Sequence, residues 1–227
     1  MPSYRWGMDR RFFLGSLGAS AVGLAASSPL LAQDRARSVT QWEIGPVIRG
    51  RNYSVGMPPH PRNVSDGEWA FDFPGPRRSD GHVHALTRTT GPLDRARGLR
   101  LRYRIDGARG ARLVPQEFPD RDPLVTLFIQ RRGDNWRADR VSQHYRWYSP
   151  NSAASVLRMG EGGETVTFEA DWKSVMSDDR HDAPREWRDA LRDAERVGFT
   201  FGSRGGRSHG VFATAPARFT LLDFSVI

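Results

Sequence analysis

The sequence predicts an all-β protein: a two-sheet β-sandwich of jelly-roll type with one short helix near 184–196. Three observations carry this. The segment "LRLRYRID" (99–106) alternates strictly, with Leu99, Leu101, Tyr103 and Ile105 on one side and Arg100, Arg102, Arg104 and Asp106 on the other. That period of two marks a strand with one buried and one wet face. Comparable segments recur along the chain, separated by Gly, Pro, Asp and Asn, and their even spacing suits a sandwich. Finally, there is no cysteine, so disulfide scaffolds and thiolate metal sites are excluded and a hydrophobic core must carry the fold.

Residues 1–32 read as an export signal, leaving 33–227 as a single domain of ordinary size. "MDRRFFLGSLGASAVGLAASSPLLAQ" has a basic start, an apolar stretch from Phe12 to Ala26, and a small-residue region before Gln33. Gly15, Gly18 and Gly23 make the apolar part too weak for a membrane span. Arg10 and Arg11, followed by Phe13-Leu14, resemble a twin-arginine export signal, although Asp9 and Gly15 stand where that pattern favours other residues. The general secretory pathway is the alternative route. Cleavage is expected after Ala32, with Ala26–Ser28 as a second site, and either Met1 or Met8 serves as the start. The resemblance implies a bacterial periplasmic or secreted protein.

Further strands are expected at "EWAFDF" (68–73), "GHVHALT" (81–87), "PLVTLFIQ" (123–130), "SQHYRWYS" (142–149), "ETVTFEA" (164–170), "VGFTFG" (197–202), "GVFAT" (210–214) and "ARFTLLDFSVI" (217–227). In "PLVTLFIQ", Val125, Leu127 and Ile129 share one face, and Thr126, Phe128 and Gln130 the other. The helix is expected to start with Asp182 as cap and Pro184 in the first turn. Trp187, Ala190, Leu191 and Ala194 follow the spacing of a helix lying on a core. "VGMPPHPRNVSD" (55–66) reads as a Pro-rich loop.

Composition narrows the partners. The net charge is +8, and 33 of the 34 basic residues are Arg. Such a chain suits polyanions, but its cations are dispersed among 26 acids. No basic arm or nucleic-acid motif is present, so nucleic acid is not expected as a partner. A polysaccharide or anionic envelope polymer is.

The segment "QRRGDNW" (130–136) contains Arg132-Gly133-Asp134, the letters of a cell-adhesion signal. In a chain this rich in Arg, Gly and Asp, about one random sequence in four contains it. Its interest lies in its position, between a core strand and "HYRWY". Alternation would place His144, Arg146 and Tyr148 on one face, beside Gln130 and Phe128 if the strands pair in that register. Aromatic faces stack on sugar C–H patches, and Arg, Gln and Asn side chains meet hydroxyls or carboxylates. The candidate ligand-binding set is therefore Gln130, Arg132, Asp134, Trp136, His144, Arg146 and Tyr148.

His82 and His84 in "DGHVHAL" share a strand face, but no Glu follows at the spacing a cupin-like metal strand needs. "GSRGGRSHGVFA" (202–213) lacks the ending of a phosphate loop. His82, His84, Arg207 and His209 are accordingly expected as rim contacts, with no metal and no cofactor. "GRNYS" (50–54) offers Asn52 and Tyr53, with nothing to place it relative to the rest. No serine elbow or paired-Glu spacing is visible.

The C-terminal part, about 99–227, resembles the galactose-binding-like jelly rolls of carbohydrate-binding modules. The residues that carry the likeness are Trp172 in "DWKSV", the helix at 184–196, "VGFTF" and the closing "FTLLDFSVI". The resemblance implies a non-catalytic binder of carbohydrate or another envelope polymer. A lyase or hydrolase acting on polysaccharide on the same scaffold is one alternative, and a structural envelope protein a second.

Overall fold

The computed structural model describes residues 41–65 and 68–227; the expected export signal lies outside them. The described residues form a sandwich of two antiparallel sheets. In chain order the strands are β1 (Trp42–Gly45), β2 (Val47–Ile48), β3 (Arg51–Asn52), β4 (Arg62–Ser65), β5 (Glu68–Asp72), β6 (Ala85–Thr89), β7 (Gly98–Gly107), β8 (Leu113–Pro115) and β9 (Leu124–Arg131). They continue as β10 (Arg146–Tyr148), β11 (Ser155–Val156), β12 (Gly160–Thr167), β13 (Lys173–Ser174), helix α1 (Pro184–Arg192), β14 (Ala194–Gly202), β15 (Val211–Ala213) and β16 (Ala217–Val226). The larger sheet runs β1-β6-β14-β9-β10-β13, with β11 also on β9; the smaller runs β12-β7-β16-β5-β4. β2–β3 and β15–β8 are separate two-stranded ribbons.

The alternation read from the sequence decides what lies between the sheets. Leu99, Leu101, Tyr103 and Ile105 of β7 are buried and face the core. Val125, Leu127 and Ile129 of β9, and Val197, Phe199 and Phe201 of β14, face them from the larger sheet. Aromatic contacts tie the layers: Trp69 stacks parallel to Phe199 at 6.3 Å, and Phe199 lies 5.5 Å from Phe219. Burying rings of this size contributes on the order of 2–3 kcal/mol each.

Helix α1 seats Trp187 between Trp147, at 5.2 Å, and Trp172, at 5.5 Å. It is shorter than the 184–196 expected. It ends at Arg192, and Ala194 is buried as the first residue of β14 rather than on the helix face. One small apolar residue satisfies both periods, which is why the sequence pattern ran on. The cap residue is Ala183, not Asp182, and it makes no side-chain cap bond; Pro184 at the first position supplies the start.

"SQHYRWYS" also differs from expectation, since only Arg146–Tyr148 pair. Upstream, the Asp139 carboxylate accepts from the Ser142 amide at 2.8 Å, and the Tyr145 amide donates to the Ser142 carbonyl. These local bonds hold 139–145 as turns and break the alternation. In "GHVHALT", strand pairing starts at Ala85, with Val83 making one isolated bridge to Val211.

Candidate functional site

The face of the larger sheet turned away from the core carries an ordered set of side chains. Cross-strand register aligns Tyr148, Phe128, Gly198, Thr87 and Glu43 in one row across five strands. The next row holds Arg146, Gln130 and Arg196. Arg196 reaches this face through a bulge: the register slips between Ala194 and Arg196, leaving Glu195 as the extra residue. Its guanidinium then donates to Glu43 at 2.5 Å and to the Thr87 hydroxyl at 3.2 Å.

Two walls rise from this floor. One is the β2–β3 ribbon. Its two connecting residues, Arg49 and Gly50, have φ of 51° and 79°, as a type I′ hairpin turn requires. The ribbon is pinned to β1: Asn52 Nδ2 donates to the Ile44 carbonyl and Ser54 Oγ to the Gly45 carbonyl. Ser54 Oγ also accepts from the His84 amide at 2.8 Å. The other wall is the 132–145 segment joining β9 to β10. Between the walls lies a cleft of about 860 Å³, lined on the floor by Glu43, Thr87, Gln130 and Arg196. Arg49, Arg51 and Tyr53 face it from the ribbon, and Asp134, Trp136 and Arg137 from the opposite wall.

That second wall is built on a buried ion pair. Arg146 Nη1 donates to Asp134 Oδ2 at 2.8 Å, with side chains 4% and 2% exposed. Gln130 Nε2 donates to the same oxygen at 2.6 Å, and Arg146 Nε donates to the Tyr148 hydroxyl at 2.8 Å. The free oxygen of Asp134 accepts from the Trp136 amide at 3.1 Å. This Asx turn holds Trp136 at φ 65°, a region bulky residues rarely occupy. The Trp136 ring packs 5.6 Å from Phe128 and under the Arg146 guanidinium at 4.6 Å. Burial alone would lower the Arg146 pKa, but Tyr148 and Asp134 more than offset it and hold the group protonated.

Of the residues selected from sequence, Gln130, Asp134 and Trp136 line the cleft, and Arg146 and Tyr148 lie buried behind them. The register Arg146–Gln130 and Tyr148–Phe128 is the one that brings them together. Arg132 is exposed and does not line the cleft; its amide bonds the Asp193 carbonyl. His144 leaves the set altogether. It precedes the strand, so alternation does not apply to it; its Nε2 meets Asp178 at 2.9 Å and its ring stacks on Trp147 at 5.8 Å. The Arg-Gly-Asp tripeptide presents no aspartate: the Asp134 carboxylate is consumed by Arg146 and Gln130.

The rim residues gather beyond Tyr148. The Arg207 guanidinium lies 5.2 Å over the Tyr148 ring, and burial lowers its pKa against the opposing influence of Tyr148. His84 Nδ1 donates to the Ser208 carbonyl at 2.5 Å, and its ring lies 4.5 Å from that of His82. Burial pushes the His84 pKa down to about 4, with His82 and His209 adding to the shift. His209 pairs with Glu117 at 2.5 Å. None of the four lines the cleft. Among the described residues, Asp171, Asp179 and His181 could reach one ion, but Asp179 already pairs with Lys173 at 2.5 Å. Among the described residues no helix is long and apolar enough to cross a membrane.

Sequence reasoning missed Glu43, Arg49, Arg51, Thr87, Arg137 and Arg196. The Arg49-Gly50 pair between short apolar and polar runs was the one local signal, a hairpin turn in "VIRGRN". Nothing local ties that turn to Trp136, more than eighty positions away. No protein-family model and no curated protein matches the chain.

Proposed function

We propose that the protein is an exported, non-catalytic binder of carbohydrate or another cell-envelope polymer, held in the cleft between the β2–β3 ribbon and Trp136. The observation that carries this reading is the pairing of aromatic walls, Tyr53 and Trp136, over a polar floor of Glu43, Thr87, Gln130 and Arg196. Sugars present both apolar C–H faces and hydroxyls, and such a cleft offers partners for each. Trp136 is held in a fixed orientation before any ligand arrives, which reduces the ordering cost of binding. Three carboxylates line the cleft, and two of them, Glu43 and Asp134, are committed to Arg196 and Arg146. That favours binding over acid–base chemistry. The likeness of 99–227 to carbohydrate-binding modules and the N-terminal export pattern point the same way.

Affinity-gel electrophoresis and titration against a panel of neutral and acidic polysaccharides test the proposal. At least one polymer binds, and Trp136→Ala weakens it by about tenfold or more, as truncation of a central aromatic anchor does. Release of reducing or unsaturated ends from any of these polymers, or binding unaffected by Trp136→Ala and Tyr53→Ala together, would sink this reading.

A further inference from the structure

The charge of the cleft is unevenly settled. Arg196 is satisfied by Glu43, and Arg131, also in the lining, by Asp193 at 2.9 Å. Asp134 is satisfied from behind by Arg146. Once these pairs are set aside, the remaining charged lining is Arg49, Arg51 and Arg137 against Glu195. The three arginines are exposed and make no ion pair among the described residues.

Their backbones are specified. Arg49 sits in the type I′ turn at positive φ, where the hairpin geometry fixes its direction and puts Arg51 just across the turn. The Arg51 guanidinium rests 5.3 Å from the Tyr53 ring, which pre-orients its planar fork. Opposite, the Arg137 amide donates to Asn135 Oδ1 at 3.0 Å, a second Asx turn directly after the one that holds Trp136. Cations thus stand on both walls of a cleft that Tyr53 and Trp136 also line, with Arg51 resting on the Tyr53 ring. Guanidinium forks pair in planar, bidentate fashion with carboxylates.

Building on the proposed function, we infer that the ligand is a polysaccharide whose sugars carry carboxylates, a uronate polymer. The ring face of each sugar lies against Trp136 or Tyr53, and its carboxylate meets the adjacent arginine. A neutral polymer would leave three cations lining the cleft with only Glu195 as counter-charge, which disfavours it.

The test titrates the full chain with polygalacturonate and alginate and with the carboxyl-reduced, neutral counterpart of each. It uses wild type, the triple variant Arg49→Gln/Arg51→Gln/Arg137→Gln, and Trp136→Ala. The acid polymer binds wild type about tenfold or more tighter than its reduced counterpart. The triple variant loses that preference while keeping its thermal midpoint. Equal affinity for acid and reduced polymers, or a preference that survives in the triple variant, overturns the inference. Equal affinity that still depends on Trp136 overturns it while leaving the cleft as a carbohydrate site. No Trp136-dependent binding to any polymer removes both. Single-stranded nucleic acid bound as tightly, with the same arginine dependence, would mean a general polyanion site and would also overturn the uronate assignment.

Discussion

The guanidinium of Arg146 and the carboxylate of Asp134 meet at 2.8 Å in a place where neither side chain is more than 4% exposed. The two residues come from different parts of one connection: Arg146 from the start of β10, Asp134 from the loop that climbs away from β9. The pair converts a long loop into a wall.

Removing one partner leaves a buried charge without compensation, which typically costs about 3–5 kcal/mol. Asp134→Ala is therefore expected to lower urea stability by that order and to expose Trp136, seen as a red shift of tryptophan emission. The double variant Asp134→Leu/Arg146→Met removes both charges and regains much of the loss. If the single and double variants are equally destabilised, the ion pair is not what holds the wall.

Trp136 at φ 65° stores backbone strain. Glycine adopts that region freely, whereas alanine pays about 1–2 kcal/mol for it. Trp136→Gly is thus expected to be more stable than Trp136→Ala by about 1 kcal/mol in denaturant titrations. Both abolish the aromatic platform and lose ligand to the same degree. Equal stability of the two would argue against a strained residue 136.

His84 predicts a pH dependence. Its pKa is pushed to about 4 in the folded protein, from an ordinary value of 6.5, because burial opposes charging and because His82 and His209 lie near. Between those values the unfolded chain binds a proton that the folded chain does not. The stabilisation is present in full above pH 6.5 and is lost as pH falls toward 4, by about 3 kcal/mol in all. His84→Gln, which can still donate toward the Ser208 carbonyl, is expected to flatten the stability profile between pH 7 and 4.5. A profile parallel to wild type would show that His84 does not contribute.

Glu164 behaves in the opposite sense. It points inward from β12, and among the described residues neither carboxyl oxygen accepts a hydrogen bond of good geometry. Burial raises its pKa well above the ordinary value, against a smaller lowering by the Leu127 and Ser155 backbone. A raised folded pKa means stability that is present below the unfolded value near 4.5 and is lost as pH rises through the folded one. Glu164→Gln keeps the shape without the ionisation, so it is expected to stabilise the protein at pH 7–8 and to change little near pH 4. A destabilised Gln variant at pH 8 would show that the carboxylate has a partner in solution.

Much of the fold was legible because strand alternation is local. The sides of β7 and β9 follow from successive residues in "LRLRYRID" and "PLVTLFIQ", and Trp187 is found in the core where the helix spacing placed it. Errors arose where a short local bond competed with periodicity. Asp139 capping Ser142 stopped the strand before His144, and Ala194 fitted a helix period and a strand period equally. The site was half legible. Gln130, Asp134, Trp136, Arg146 and Tyr148 come from two neighbouring strands and their connection, so reading along the chain could collect them. Arg132 and His144, from the same stretch, point elsewhere, because a loop residue has no pleat to set its direction.

Local patterns were enough to set the class of fold, the buried face of each long strand, and the concentration of polar and aromatic groups between 130 and 148. Tertiary structure alone decided that Arg49, Arg51 and Tyr53 stand opposite Trp136, and that Asp134 is spent inside the wall rather than offered to a partner. The physical reason is one of range. Pleat and turn preferences act over a few residues and are written locally. The cleft depends on β1 lying next to β6, and β14 next to β9, pairings stabilised by burial of a shared core whose contacts span most of the chain.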